Sequence, residues 1–310
     1  MPSMGSKAVL LLAALGFAAA VPTGEVKRDV HQLFARGQSW DASCDRVIPG
    51  SPEKKKYKDK LSKAFADAGT LAQVAQNEKD GSGKSFTDST AFSHYFGDGD
   101  KDTAKQMLQA IYNDRIPDDG NHSGEGYTIK VKCGSDQDDA CGTSVLAATS
   151  PKPGDTTMVF CDRFFKADTK ETKQDLDSKG KGDKRGQWCQ SGEQFPFFEV
   201  AGLTVFHEMT HLHVVGQQAG LSSRPDPDGF NSAGTVDVYV QGDDDDKKHY
   251  KNMDPWKAAR TLRTLWKANE DDSKNYKPTT KTIENAESYA AAALEFYFLN
   301  VCMWDVIEPK

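Results

Sequence analysis

The sequence predicts an α+β fold, rich in helix with a small sheet and stabilised by disulfides. Three observations lead there. Apolar residues recur every three or four positions over several long stretches, the period of a helix with one buried face. Two shorter stretches alternate in polarity or concentrate β-branched and aromatic residues, as strands do. Six cysteines (Cys44, Cys133, Cys141, Cys161, Cys189 and Cys302) are spread along the 310 residues with no CxxC pair. That distribution favours disulfides over a thiolate metal site.

The N-terminus reads as a targeting segment. Lys7 precedes an apolar run from Ala8 to Phe17, and Ala18-Ala19-Ala20 offers a small-residue cleavage site, the pattern of a secretory signal peptide over residues 1–20. The run is too short for a comfortable membrane span, and no other segment approaches one. Lys27-Arg28 and Arg36 are candidate trimming points. Residues 21–36 are therefore expected to be a short propeptide, and residues 37–310 a single domain. Formal net charge is −7, and removing residues 1–28 takes it to −9. An acidic chain is a poor binder of nucleic acid or anionic membrane. Asn121-His122-Ser123 is a glycosylation sequon, which places that stretch on the surface of a secreted glycoprotein. The sequence does not choose among the 15 connectivities that six cysteines allow; the expected set is Cys133–Cys141 as a local loop clasp, Cys161–Cys189, and Cys44–Cys302 tying the ends together.

Each element has its own signal. Ser51-Pro52-Glu53 is a helix start, and Tyr57, Leu61, Phe65, Ala68 and Ala72 follow at helical spacing, predicting a helix over 52–76. Thr90 to Phe96 predicts a short helix, and Lys101 to Asn113 another. Tyr127, Ile129, Val131 and Cys133 alternate with polar residues and predict a strand. Thr156 to Phe164 predicts a second, a candidate for sheet beside the site. Residues 166–187 are almost wholly polar and read as a surface loop. Phe197 to Val215 predicts a helix stopped by Gly216. The Gly-, Asp- and Pro-rich residues 217–252 predict a long irregular segment, a length usually retained for function. Pro255–Ala268 and Thr282–Asn300 predict two more helices, the second a core helix.

The chemistry is concentrated in His207-Glu208-Met209-Thr210-His211. At i and i+4 on a helix, the two imidazoles share a face and reach one Zn²⁺, with Glu208 beside the open position as a general base toward water. A catalytic zinc takes a third protein ligand. The candidates are His213, which at i+2 from His211 points elsewhere, the isolated His249, Glu287 on the later helix, and Asp237 in Gly234-Thr235-Val236-Asp237-Val238-Tyr239.

Gly-Thr-x-Asp near a Tyr, downstream of His-Glu-x-x-His, resembles the aspzincin metallopeptidases, the fungal deuterolysins and peptidyl-Lys metalloendopeptidases. Asn285-Ala286-Glu287-Ser288-Tyr289 is similar to that family's Asn-Ala-Asp-Ser-Tyr segment. Phe92-Ser93-His94-Tyr95-Phe96-Gly97 and Phe160-Cys161-Asp162 look like elements of related fungal secreted proteins. The family pattern runs G-T-x-D-x-x-Y-G; here Tyr239 falls one residue early and Gly242 late. The resemblance implies a zincin-like fold and one catalytic zinc on His207, His211 and Asp237. It further implies Glu208 as base, Tyr239 assisting the transition state, and Glu287 behind the ligands. The expected activity is secreted, zinc-dependent endopeptidase cleavage of protein or peptide substrates by a monomer, with no nucleic-acid or membrane partner.

Asp243 to Asp246 followed by Lys247-Lys248 reads as a solvated loop, or as an acidic wall favouring basic side chains at the cleavage position. The competing function is a non-catalytic secreted zinc-binding protein. Some fungal zinc-binding antigens resemble this family but carry Arg where this chain has Glu208, and a carrier has no need of a base.

Overall fold

The computed structural model describes residues 37–51, 53–113, 127–135, 138–142, 144–166, 168–180, 189, 195–225, 229–238, 248–304 and 307. The expected signal peptide, propeptide and sequon, Tyr239, and the run Asp243–Lys247 lie outside the described residues. In chain order the elements are strand β1 (Gln38–Trp40), helices α1 (Tyr57–Asn77), α2 (Thr90–Tyr95) and α3 (Lys101–Asn113), strands β2 (Ile129–Cys133), β3 (Ala147–Thr149) and β4 (Thr157–Phe160). Then come α4 (Asp162–Phe165), α5 (Leu176–Gly180), α6 (Phe195–Phe198), α7 (Ala201–His211) and α8 (His213–Gln218), the short pair β5 (Arg224–Pro225) and β6 (Asn231–Ser232), α9 (Pro255–Asp271) and α10 (Ala286–Cys302).

α10 is the centre of the helical layer. Its residues are buried almost all round, from Ala286 through Leu299, as expected of a helix without a solvent face. The four alanines Ala290–Ala293 let neighbours approach closely, and α1, α2, α7 and α9 all pack on it. Glu295, wholly buried, ties three of these helices together. It accepts a 2.7 Å hydrogen bond from Arg260 of α9 and lies 2.7 Å from His94 Nδ1 of α2. A buried carboxylate needs such partners.

The sheet runs in the order β1-β2-β4-β3, with β1, β2 and β4 parallel and β3 antiparallel to β4. β2 keeps its predicted alternation, with Ile129, Val131 and Cys133 inward and Lys130 and Lys132 outward. The strand predicted over 156–164 is shorter and interior, because Cys161 turns the chain into α4. β3, which the sequence did not single out, takes the edge and packs against α7.

Other expectations are corrected. The first helix starts at Tyr57 rather than 52, since Lys54 adopts a left-handed turn at φ 51° and the chain enters the helix only at Lys56. Within 166–187, a 3-10 turn at Lys170–Thr172 and α5 are ordered against α1. Lys60 of α1 donates to the Phe164 carbonyl at 2.6 Å, and Lys63 pairs with Asp175 at 2.7 Å. All three disulfides differ from the expected set: they are Cys44–Cys133, Cys141–Cys161 and Cys189–Cys302. Pairing of β1 with β2 brings Cys44 to the end of β2. The β2–β4 register sets Cys133 opposite Phe160, which leaves Cys161 to meet Cys141. Three disulfides fit an oxidising, extracellular environment, and none of the described helices is long and apolar enough to cross a membrane.

Asp67 of α1 is buried and accepts the Leu176 amide at 2.9 Å. Burial pushes its carboxyl up to about 7 from 3.8, only partly offset by that hydrogen bond. A folded pKa above the unfolded one means that the native state prefers the protonated acid. Its contribution is full below pH 3.8 and is lost as pH rises through about 7. Asp67→Asn should therefore leave stability near pH 4 little changed and raise it at pH 8 by about 2–4 kcal/mol. Urea unfolding at the two pH values measures the difference.

Candidate metal centre

The helix predicted over 197–215 is interrupted, and the interruption builds the site. α6 precedes it, α7 ends at His211, Leu212 is extended at φ −61° and ψ 127°, and α8 resumes at His213. Gly216 thus lies inside α8 rather than ending a helix. The break frees the Thr210 carbonyl, which in a continuous helix would accept from within. It accepts instead from the Thr235 amide at 3.0 Å, and the Thr210 and Thr235 hydroxyls meet at 2.7 Å.

From there Gly234–Val238 runs as a short extended bridge between α7 and the start of α10. The Val236 amide donates to the Glu284 carbonyl at 2.8 Å and the Ala286 amide to Val236 at 3.0 Å. The Val238 amide donates to the Asn285 side chain at 3.2 Å. Arg224 closes the far side by donating to the Gly234 carbonyl at 2.9 Å.

These bonds deliver Asp237 to the histidines. Nε2 of His207 and Nε2 of His211 are 3.1 Å apart. Asp237 Oδ1 lies 3.1 Å from the first and 3.5 Å from the second. A tetrahedral zinc with bonds of about 2.0–2.1 Å sets its ligand atoms about 3.3 Å apart. The triangle matches that spacing, and two imidazoles with one carboxylate form a donor set suited to zinc.

The opposite edge of each ring is held as well. His207 Nδ1 is 3.0 Å from Glu287 Oε2, and His211 Nδ1 is 2.9 Å from the Thr235 carbonyl. An acceptor at Nδ1 keeps the proton there and leaves the Nε2 lone pair facing the shared point. Glu287 therefore stands behind His207 rather than in the triangle.

Ligand-type atoms of His207, Glu208 and His211 also cluster within 4.8 Å. Asp237 is the carboxylate placed against Nε2 of both rings, at 3.1 and 3.5 Å. Glu208 is turned to the sheet, where the Thr149 hydroxyl of β3 donates to its Oε2 at 2.8 Å. Burial by itself would lower both histidine pKa values, but the Asp237 carboxylate raises them, His207 well above the ordinary value with Glu287 adding to it. Burial would raise Asp237, and the two imidazoles hold it well below its usual range.

The site opens into a cavity of about 640 Å³ lined by His207, Glu208, Asp237 and Glu287, by Ser144–Ala147 before and within β3, and by Arg163 and Thr204. The remaining candidates lie elsewhere. His213 accepts the Ala233 amide at 3.0 Å, and His249 stacks on Tyr276. Tyr239 lies outside the described residues. Sequence reasoning missed Thr149, which sits in no motif and meets Glu208 only through the packing of β3 on α7.

No family model matches the chain, and no curated protein matches it. Among solved structures, a zinc peptidase from Grifola frondosa is similar over 79% of this chain and 96% of its own, at 14% identity and a TM-score of 0.39. At that score the shared geometry is too slight for one chain to speak for the other.

Gly234 packs directly on the His211 backbone, and a Cβ there would overlap the His211 carbonyl. Gly234→Ala should cost roughly 2–3 kcal/mol of stability. It should also move Asp237 away from the two imidazoles, so that added zinc binds at least tenfold more weakly than to the unaltered triangle of donor atoms. Zinc titration of the folded variant with a competing chelator reads the second effect separately from the first.

Proposed function

We propose that the chain is a secreted zinc-dependent endopeptidase of the aspzincin type. The observation that carries this reading is the convergence of His207 Nε2, His211 Nε2 and Asp237 Oδ1 within 3.1–3.5 Å beside a buried glutamate in an open cleft. His207, His211 and Asp237 would hold the metal, with Glu287 and the Thr235 carbonyl fixing the rings. When bound there, zinc would polarise the scissile carbonyl and make water acidic enough to react near neutral pH.

The chain's own residues do the rest. Glu208 takes the proton from the attacking water and returns it to the leaving amine. Thr149 holds the Glu208 carboxylate in one orientation from the side of the sheet. Because β3 is the sheet edge and leads out of the cavity wall, an extended peptide can pair along it and so present its carbonyl to the site. The non-catalytic carrier would need the three ligands alone; a buried glutamate whose carboxylate meets the Thr149 hydroxyl at 2.8 Å, a hydroxyl that also approaches the Glu208 backbone carbonyl at 3.1 Å, is what favours hydrolysis.

Glu208→Gln should reduce cleavage of an unfolded protein substrate by 10²-fold or more, in the range general-base catalysis supplies, while zinc content is unchanged. A chelator should stop the wild-type protein, and added zinc should restore it. Zinc-loaded wild-type protein with no chelator-sensitive cleavage would establish the carrier instead.

Thr149→Val should lower kcat about tenfold with KM and zinc affinity nearly constant, and Thr149→Ser should recover most of the loss. A KM change of the same size as the kcat change would make Thr149 a packing residue only.

A further inference from the structure

One hydroxyl of the cleft has no task in the mechanism. Thr204, on α7, lies three residues before His207 and four before Glu208, so the helical repeat sets it on the face that carries both. It lines the same cavity and is half-buried. Its hydroxyl has no hydrogen-bond partner among the described residues, and it is not sealed from solvent.

A threonine inside a helix can turn its hydroxyl back to the carbonyl one turn earlier. Thr70 does so to Ala66 at 3.0 Å and Thr264 to Arg260 at 2.9 Å. The other threonines around the centre are committed as well. Thr149 donates to Glu208, and Thr210 donates to the His207 carbonyl at 2.7 Å. Thr204 departs from this pattern, and its free hydroxyl faces the space a substrate would fill.

The rest of the wall does not duplicate it. Asn285 is wholly buried, its side chain spent between the Val238 amide and the Ser288 hydroxyl, and Ser144 is exposed. The charged wall residues, Glu171, Glu199 and Asp254 with Arg163 and Lys170, respond to the charge of a ligand. A neutral hydroxyl both donates and accepts, so it separates an amide or hydroxyl side chain from an apolar one of the same shape. Its place on α7 selects the substrate residue. Glu208 returns its proton to the leaving amine, so the residue on the amine side of the scissile bond lies over Glu208. Thr204 is one helical turn away, about 5–6 Å between Cβ atoms, within reach of that residue's side chain.

We propose that Thr204 is a specificity-determining residue whose hydroxyl hydrogen-bonds the side chain immediately after the scissile bond, so that an amide or hydroxyl side chain is taken in preference to its apolar isostere. The inference rests on the peptidase reading. A net hydrogen bond between neutral partners corresponds to a preference of about three- to tenfold. Isosteric pairs of equal charge isolate this contact from the charges on the wall.

Binding to zinc-loaded Glu208→Gln protein reads the preference without turnover. The probes are peptides that differ only in Asn or Leu, or in Thr or Val, at one of three positions on either side of a central bond. Digestion by wild-type protein and mass spectrometry locate the bond that is cut. Calorimetry should find Asn bound over Leu, and Thr over Val, by about three- to tenfold at the position just after that bond. The preference should vanish in Glu208→Gln/Thr204→Val and in Glu208→Gln/Thr204→Ala, and persist in Glu208→Gln/Thr204→Ser, with zinc content equal in all. Equal affinity within the pairs, a preference at another position, one that survives Thr204→Val, or binding of none of the peptides overturns the proposal. If wild-type protein cuts none of the peptides, the peptidase reading fails and the placement after a scissile bond fails with it. That result is distinct from failure of Thr204 alone, in which cleavage proceeds and the isosteres bind alike.

Discussion

The bond on which the candidate centre depends is between two backbones, from the Thr235 amide to the Thr210 carbonyl. It exists because Leu212 leaves the helix one residue after His211. The same break ends α7 where its second histidine is needed and exposes the acceptor that recruits the Gly234–Val238 segment. Without it, His207 and His211 would still share a helix face. Asp237, 26 positions beyond His211 in the chain, would lose the backbone tie that joins its segment to α7.

The segment is then fixed from the other side by α10. Asn285 receives the Val238 amide, Ser288 receives the Asn285 side-chain amide at 3.0 Å, and Glu287 steadies His207. One stretch of four residues, 285–288, therefore positions the segment that carries Asp237 and orients an imidazole. α10 can do both because it is buried on all sides and cannot shift without disturbing α1, α2, α7 and α9. Rigid support behind the ligands is what keeps donor atoms near the spacing a metal requires.

The helices and the alternating strand β2 were legible in the sequence because they are governed by local periodicity. The third helix is reproduced at Lys101–Asn113, and α10 was already readable as a core helix. Where reading failed, the missing information was non-local. The Leu212 break has no Gly or Pro to announce it, and Thr235, which takes up the freed Thr210 carbonyl, lies 25 residues beyond Thr210 in the chain. The edge position of β3 depends on which strands pair. Two of the disulfides follow from β-sheet register, the third ties Cys189 to the end of α10, and none of the three could be read from spacing.

By itself the sequence determined the donors. His207, Glu208 and His211 lie within one helical turn, so helix geometry alone sets their relation, and the islands around Asp237 and Glu287 supplied the other carboxylates. Only the tertiary structure decided where each of them sits. Asp237 faces Nε2 of both imidazoles and Glu287 faces Nδ1 of one, a distinction that comes from the direction in which two distant segments meet α7. The same holds for Thr149, whose side chain means little in the linear chain and meets Glu208 only because β3 packs on α7.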